Sequence, residues 1–273
     1  MPSLPQEMVD HIVGFIHDDR EALKQCCLVS RSWAHRTRPR LFNDVCFKTP
    51  EAFSAWKKNI PPYLDPAESP AIYTHSLSFH HAELVTNNDV NWIRSFTNVV
   101  RLEVRIVKPY NSRRGRTRSQ NFAPFHDLLP TVKSLSLRWY TLLQREVFDF
   151  ICSFRLLENL ELSGYGSLRA VGGEGAVSPC LPVSIGTLVL KTTLGDFARR
   201  LLELPYLPHL RKIVWNVQRG NFRFKPVKAL VERCSDTLEY ICIDCCKSTK
   251  SFPFGFRATR SASDWIFIWR GSS

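Results

Sequence analysis

The chain has 273 residues, 44% of them hydrophobic and 12% aromatic, enough for a sizeable buried core in one large or two modest domains. Its 37 Lys and Arg against 25 Asp and Glu leave a net charge of +12, a long-range attraction for acidic protein, nucleic acid or membrane surface that does not by itself choose among them. No apolar run approaches the roughly 18 residues that cross a bilayer, the start has no basic segment leading into an apolar block, and nine cysteines without an Asn-x-Ser/Thr sequon fit a reducing compartment, so a cytoplasmic or nuclear protein with no membrane partner is expected.

Three helices are predicted over the first 42 residues. Ser3 or Leu4 can cap the first, with Pro5 in its opening turn, where a missing N–H costs little, and Gln6 and Glu7 near the positive end of the helix dipole. Met8, Val9, Ile12, Phe15 and Ile16 then fall at helical spacing and predict one apolar face. Asp18 with Glu21 forms a capping-box pattern for a second helix, in which Leu23 and Cys27 share a face. Ser30 can cap a third, carrying Trp33, Thr37 and Leu41, and Pro39 predicts its end because a proline disfavours the helical conformation of the residue before it. A unit of this size is marginal alone, and its apolar residues exceed what three short helices can hide, so part of that surface is predicted to be an interface.

Leu4-Pro5-x-Glu7, Ile12, Asp18-Asp19, Leu23, Cys27-Leu28-Val29-Ser30-Arg31-x-Trp33 and Leu41-Phe42 stand in the order of the F-box motif, which residues 4 to about 47 resemble nearly end to end. The resemblance implies an adaptor role. F-box domains dock on a Skp-type adaptor, which hangs on a cullin scaffold in a ubiquitin ligase of the SCF kind, and they do no chemistry themselves. Carried over position by position, it places Leu4, Pro5, Val9, Ile12, Leu28, Val29, Ser30 and Trp33 at or next to the adaptor surface. A structural role competes for several of them, Ile12 and Trp33 above all, which can equally hold the small bundle together.

Residues 49–71, with Pro50, Pro61, Pro62, Pro66 and Pro70, have the composition of a linker around one short helix over 51–58. Beyond them the pattern apolar-x-x-apolar-x-apolar recurs at Val99/Leu102/Val104, Val132/Leu135/Leu137, Leu157/Leu160/Leu162, Ile185/Leu188/Leu190, Leu210/Ile213/Trp215 and Leu238/Ile241/Ile243, after a degenerate copy at Leu77/Phe79. The central residues 77, 102, 135, 160, 188, 213 and 241 are separated by 25, 33, 25, 28, 25 and 28 residues. Helix-like stretches at 146–154, 196–204 and 227–234 lie between copies. This alternation resembles the leucine-rich repeat in an irregular form, without its usual Asn or Cys ladder position, and implies a solenoid with parallel strands on the concave face and helices on the convex face. An ordinary α/β sheet with crossover helices would show the same alternation.

Leu102, Leu135, Leu160 and Leu188 are predicted core, and the strand residues that alternate with the core positions are the candidates for recognition: Glu103 and Arg105, Ser136 and Arg138, Glu161 and Ser163, Val189 and Lys191, Val214 and Asn216, Cys242 and Asp244. Of these, Arg105, Arg138, Glu161, Lys191, Asn216 and Asp244 are the polar candidates for gripping a protein substrate. The longest spacing holds "KPYNSRRGRTRSQN", in which Arg113, Arg114, Arg116 and Arg118 could pair with phosphate or carboxylate, although a solvated loop explains the run equally well. Nucleic acid is a possible but not a favoured partner.

Cys242-x-x-Cys245 has the spacing of half a zinc site, but a second half is missing, and small thiols in a core are the expected explanation, with no metal and no cofactor. The glycine-rich "SGYGSLRAVGGEG" fits no phosphate-binding template, and no nucleophile or metalloprotease motif occurs, so no catalytic residue is assigned and the chain is expected to be no enzyme. "DWIFIWRGSS" ends the sequence in an apolar run, expected to be a last buried strand, a partner-binding peptide or a truncated end.

The expected organisation is therefore α+β and α/β: an F-box over 1–48, a Pro-rich linker over 49–71, about seven irregular repeats over 72–250 and a tail over 251–273. The expected function is substrate recognition for an SCF-type ligase. Its rival is a basic repeat scaffold that binds nucleic acid or an acidic protein and has no role in degradation.

Overall fold

The computed structural model describes residues 4–16, 18–61, 69–82, 85–106, 122, 125, 130–139, 149–164, 182, 184–191, 195–204, 206, 209–217 and 224–245. The arginine-rich run, the glycine-rich run beyond Gly164, Cys246 and the C-terminal tail lie outside the described residues.

Three helices open the chain: α1 (Gln6–Phe15), α2 (Arg20–Val29) and α3 (Arg31–Leu41). Pro5 is the N-cap of α1 and not its first-turn residue; its extended backbone turns its carbonyl toward the N–H groups of Met8 and Val9. The cap of α2 is Asp19 and not Asp18, because the Asp19 carboxylate accepts from both Glu21 and Ala22 N–H at 3.0 Å. Ser30 ends α2 and caps α3 through the Trp33 N–H, so the two helices share a single hinge residue. Val9, Val13 and Leu23 form the centre of this unit, with Ile16, Trp33 and Leu41 packed against it.

Pro39 does not end α3, which runs two residues past it. The lost backbone bond falls in the last turn, where the end is held by other means. Phe42 N–H donates to the Arg38 carbonyl, and the Arg40 guanidinium donates to the Val13 carbonyl of α1 at 2.8 Å.

The rest of the described chain is built on one all-parallel sheet of eight strands in sequence order: β1 (Asp44–Phe47), β2 (Ser76–Phe79), β3 (Arg101–Arg105), β4 (Ser134–Trp139), β5 (Asn159–Gly164), β6 (Thr187–Lys191), β7 (Lys212–Val217) and β8 (Tyr240–Cys245). The strand order never reverses, so the chain advances one strand at a time, as stacked repeats do, and lacks the switch point of a doubly wound sheet. The predicted central residues stand side by side across it: Leu77, Leu102, Leu135, Leu160, Leu188, Ile213 and Ile241 are successive register partners. Helices α4 (Pro50–Asn59), α5 (Val90–Arg94), α6 (Gly195–Glu203) and α7 (Phe224–Arg233) lie along the return paths. Phe53, Ile93, Ala198, Leu201 and Leu230 from these helices join the buried strand residues in one continuous core, so they cover one face of the sheet. Each Leu or Phe fully buried there contributes about 1.5–3 kcal/mol.

The sheet begins at Asp44 and not at β2. Val45 pairs with Leu77 and Phe47 with Phe79, so β1 belongs to the sheet although it falls within the stretch that resembles the F-box. Residues 49–71 are correspondingly more than a linker. Phe53 of α4 is buried in the common core, and Trp56 stacks on Phe96 at 5.4 Å and meets Phe47 edge-on at 5.6 Å. Asp89 ties α4 to the next repeat: nearly buried, it accepts from Lys57 Nζ at 2.6 Å and from the backbone and hydroxyl of Thr86 at 2.9 Å.

Each repeat is pinned to the next just before its strand. The carbonyls of Asn43, His75, Val100, Lys133, Glu158, Gly186 and Arg211 each accept two successive N–H groups from the following repeat, for example Val100 and Arg101 on His75. Hydroxyls reinforce alternate junctions: Thr74, Thr131, Ser184 and Thr237 donate to the carbonyls of Phe42, Val99, Leu157 and Leu210 at 2.7–2.9 Å. These bonds satisfy backbone groups at the turn into each strand.

Candidate functional site

Two surfaces stand out. On the helical unit, five large apolar side chains point to solvent: Leu4 (49% exposed), Met8 (52%), Phe15 (76%), Leu28 (79%) and Val29 (64%). Leu28 and Val29 close α2, and Pro5 and Ser30 of the same unit are also exposed. Val9, by contrast, is buried in the centre of the unit and presents no side chain to a partner, while Ile12 is half-buried and Trp33 packs on the small core. The expected apolar face of α1 is thus divided. Val9 and Val13 turn inward, Met8 and Phe15 outward, and the density of six apolar residues between positions 8 and 16 was the available signal that one face could not hold them all.

The second surface is the face of the sheet opposite the described helices, its open face. There the register aligns side chains in rows. One row holds Cys46, Ser78, Glu103, Ser136, Glu161, Val189, Val214 and Cys242. The next, two residues on, holds Arg105, Arg138, Ser163, Lys191, Asn216 and Asp244. All six polar recognition candidates therefore lie in these two neighbouring rows; of Asn216 and Asp244 only the backbone placement is described.

Carboxylates of the first row hold cations of the second. Arg105 pairs with Glu103, which also accepts from Ser78 at 3.3 Å, and Lys191 pairs with Glu161 at 2.7 Å. Burial would raise the Glu103 carboxyl, but the bond and charge of Arg105, with smaller help from His80 and Ser78, hold it below the usual range. Arg138 lies between the two pairs, and no hydrogen bond or ion pair engages its side chain among the described residues. Ser163, its register partner on β5, is buried.

At the β1 edge, Cys46 Sγ lies 3.6 Å from His80 Nε2. Burial raises the thiol, and burial together with the charge of Arg105 lowers the imidazole, so both shifts favour the uncharged forms. Cys234 is buried, its thiol pushed up to about 11 by desolvation. Among the described residues no group of three or more His, Cys, Asp or Glu side chains is arranged to hold a metal ion, and no helix is long and apolar enough to cross a membrane.

No protein-family model matches the chain, and no curated protein matches it.

Proposed function

We propose that this chain is the substrate-recognition subunit of an SCF-type ubiquitin ligase, which docks on a Skp-type adaptor through α1–α3 and offers a protein substrate the open face of the sheet. The observation that carries the reading is the exposure of Leu4, Leu28 and Val29, three apolar residues at motif positions, with Pro5 and Ser30 on the same small unit. Large apolar side chains left in water by a unit with so small a centre of its own mark a surface made for another chain. The leucine-rich-repeat character, with strands on the concave side, belongs to the same proposal and is supported by parallel strands paired in sequence order. Ubiquitin transfer is then the work of other subunits, and this chain contributes proximity between the ligase and its target.

Co-expression with a Skp-type adaptor tests the docking half. Stoichiometric co-purification is expected for the wild type. Since a few apolar anchors dominate an interface of about 1,600 Å², Leu28→Ala should cost about 2 kcal/mol of affinity, and Leu4→Ala/Pro5→Ala at least as much. A folded wild-type chain that fails to capture the adaptor would overturn the reading and direct attention to the basic sheet as a scaffold in its own right.

A further inference from the structure

Within strands β3 to β6, among the described residues, the open face carries one cation that no carboxylate engages, and its position points to what this part of the surface can take. In the central strands, Glu103 is engaged by Arg105 and Ser78, and Glu161 by Lys191, so both carboxylates within diagonal reach of Arg138 are committed to other cations. Arg138 is the register partner of Arg105, so that side offers it a second cation and no carboxylate, and it is only partly solvated. Its planar guanidinium presents a fork of donors matched to a carboxylate or a phosphate ester.

We infer that Arg138 is the anchor for a single carboxylate side chain of an extended protein segment laid across β3 to β6 on the open face, with Arg105 and Lys191, already fixed by their glutamates, flanking it. Successive strands are about 4.8 Å apart, so Arg105 to Lys191 spans about 14 Å, the reach of four or five extended residues. A single anion gains a bidentate partner in Arg138. A densely acidic tract gains less, because Glu103 and Glu161 stand beside it. The inference rests on the proposed role of this face in holding substrate and names the class of segment held.

The test uses the full chain and three fluorescein-labelled 12-residue Gly/Ser peptides with one central Glu, Gln or phosphoserine, read by fluorescence anisotropy. The Glu peptide should bind more tightly than both the Gln and the phosphoserine peptide, because Glu103 and Glu161 repel a doubly charged phosphate more than a carboxylate, and tighter binding of the phosphoserine peptide would overturn the assignment. Arg138→Gln should weaken binding of the Glu peptide about tenfold, whereas Arg155→Gln, at an exposed arginine in the turn before β5 and outside both rows, should leave it unchanged. Equal binding of all three peptides, no binding at all, or loss of binding on neutralising Arg113, Arg114, Arg116 and Arg118 but not Arg138 would overturn the inference. None of these outcomes affects adaptor capture, so this proposal can fail while the docking proposal stands.

Discussion

The helical unit and the sheet solve the problem of apolar surface in opposite ways. The sheet encloses it: Leu77, Leu102, Leu135, Leu160, Leu188 and Ile213 are at most 1% exposed, and helices seal the face on which they lie. The helical unit encloses little beyond Val9, Val13, Leu23 and Ala34 and sets Leu28 and Phe15 about three-quarters in solvent. The same residue type therefore serves two purposes: leucine in the sheet holds the fold, and leucine at the end of α2 is available to a partner. The sheet reserves the charged residues for its open face, where their arrangement in rows is fixed by strand register.

The contrast can be broken most forcefully in the sheet. Leu135→Ala should cost about 3 kcal/mol of stability, read as a lower urea midpoint, because its neighbours on β3 and β5 are held by backbone pairing and close only part of the cavity. A next, smaller effect concerns the clasp between α4 and the second repeat. Burial alone would raise the Asp89 carboxyl, yet the bonds from Lys57 and Thr86 lower it, so its contribution is fully present above the ordinary carboxylate value and is lost as pH falls through the lowered folded value. Asp89→Asn should cost about 2 kcal/mol at pH 7. The difference between wild type and variant should shrink below about pH 4, and comparing their urea midpoints across pH separates Asp89 from Glu103, whose carboxyl is also lowered. The smallest effect sharpens the contrast: Leu28→Ala, severe for adaptor capture, should change the stability of the isolated chain by less than about 0.5 kcal/mol.

Much of the sheet was legible because its signal repeats. Seven central residues inferred from spacing are register partners without a single slip, since a strand buried on one face must return the same side chain to the core at each pass. The first strand escaped only through its position. Phe42, Val45 and Phe47 carry the repeat's own apolar-x-x-apolar-x-apolar pattern but directly follow the helices and overlap the stretch that resembles another motif. The inward face of α1 was less legible, because six apolar residues in nine do not define one face, and contact with α2 and α3 decides between Val13 and Phe15. On the open face, alternation placed the candidates in the right rows. The pairing of Arg105 with Glu103 and of Lys191 with Glu161, which leaves Arg138 over, depends on side-chain reach across strands and has no signature in spacing.

The pins before each strand have a further consequence. Because they are made of backbone carbonyls and N–H groups, they ask almost nothing of the side chain at that place: Asn43, His75, Val100, Lys133, Glu158, Gly186 and Arg211 share no chemistry. Substitution can erase the written signature of a repeat while the pairing beneath it persists. Length can likewise be added along a return path without shifting the next strand, which is how spacings from 25 to 33 residues coexist in one unbroken register. An architecture held in this way can drift far in sequence and loop length while its strands keep their alignment.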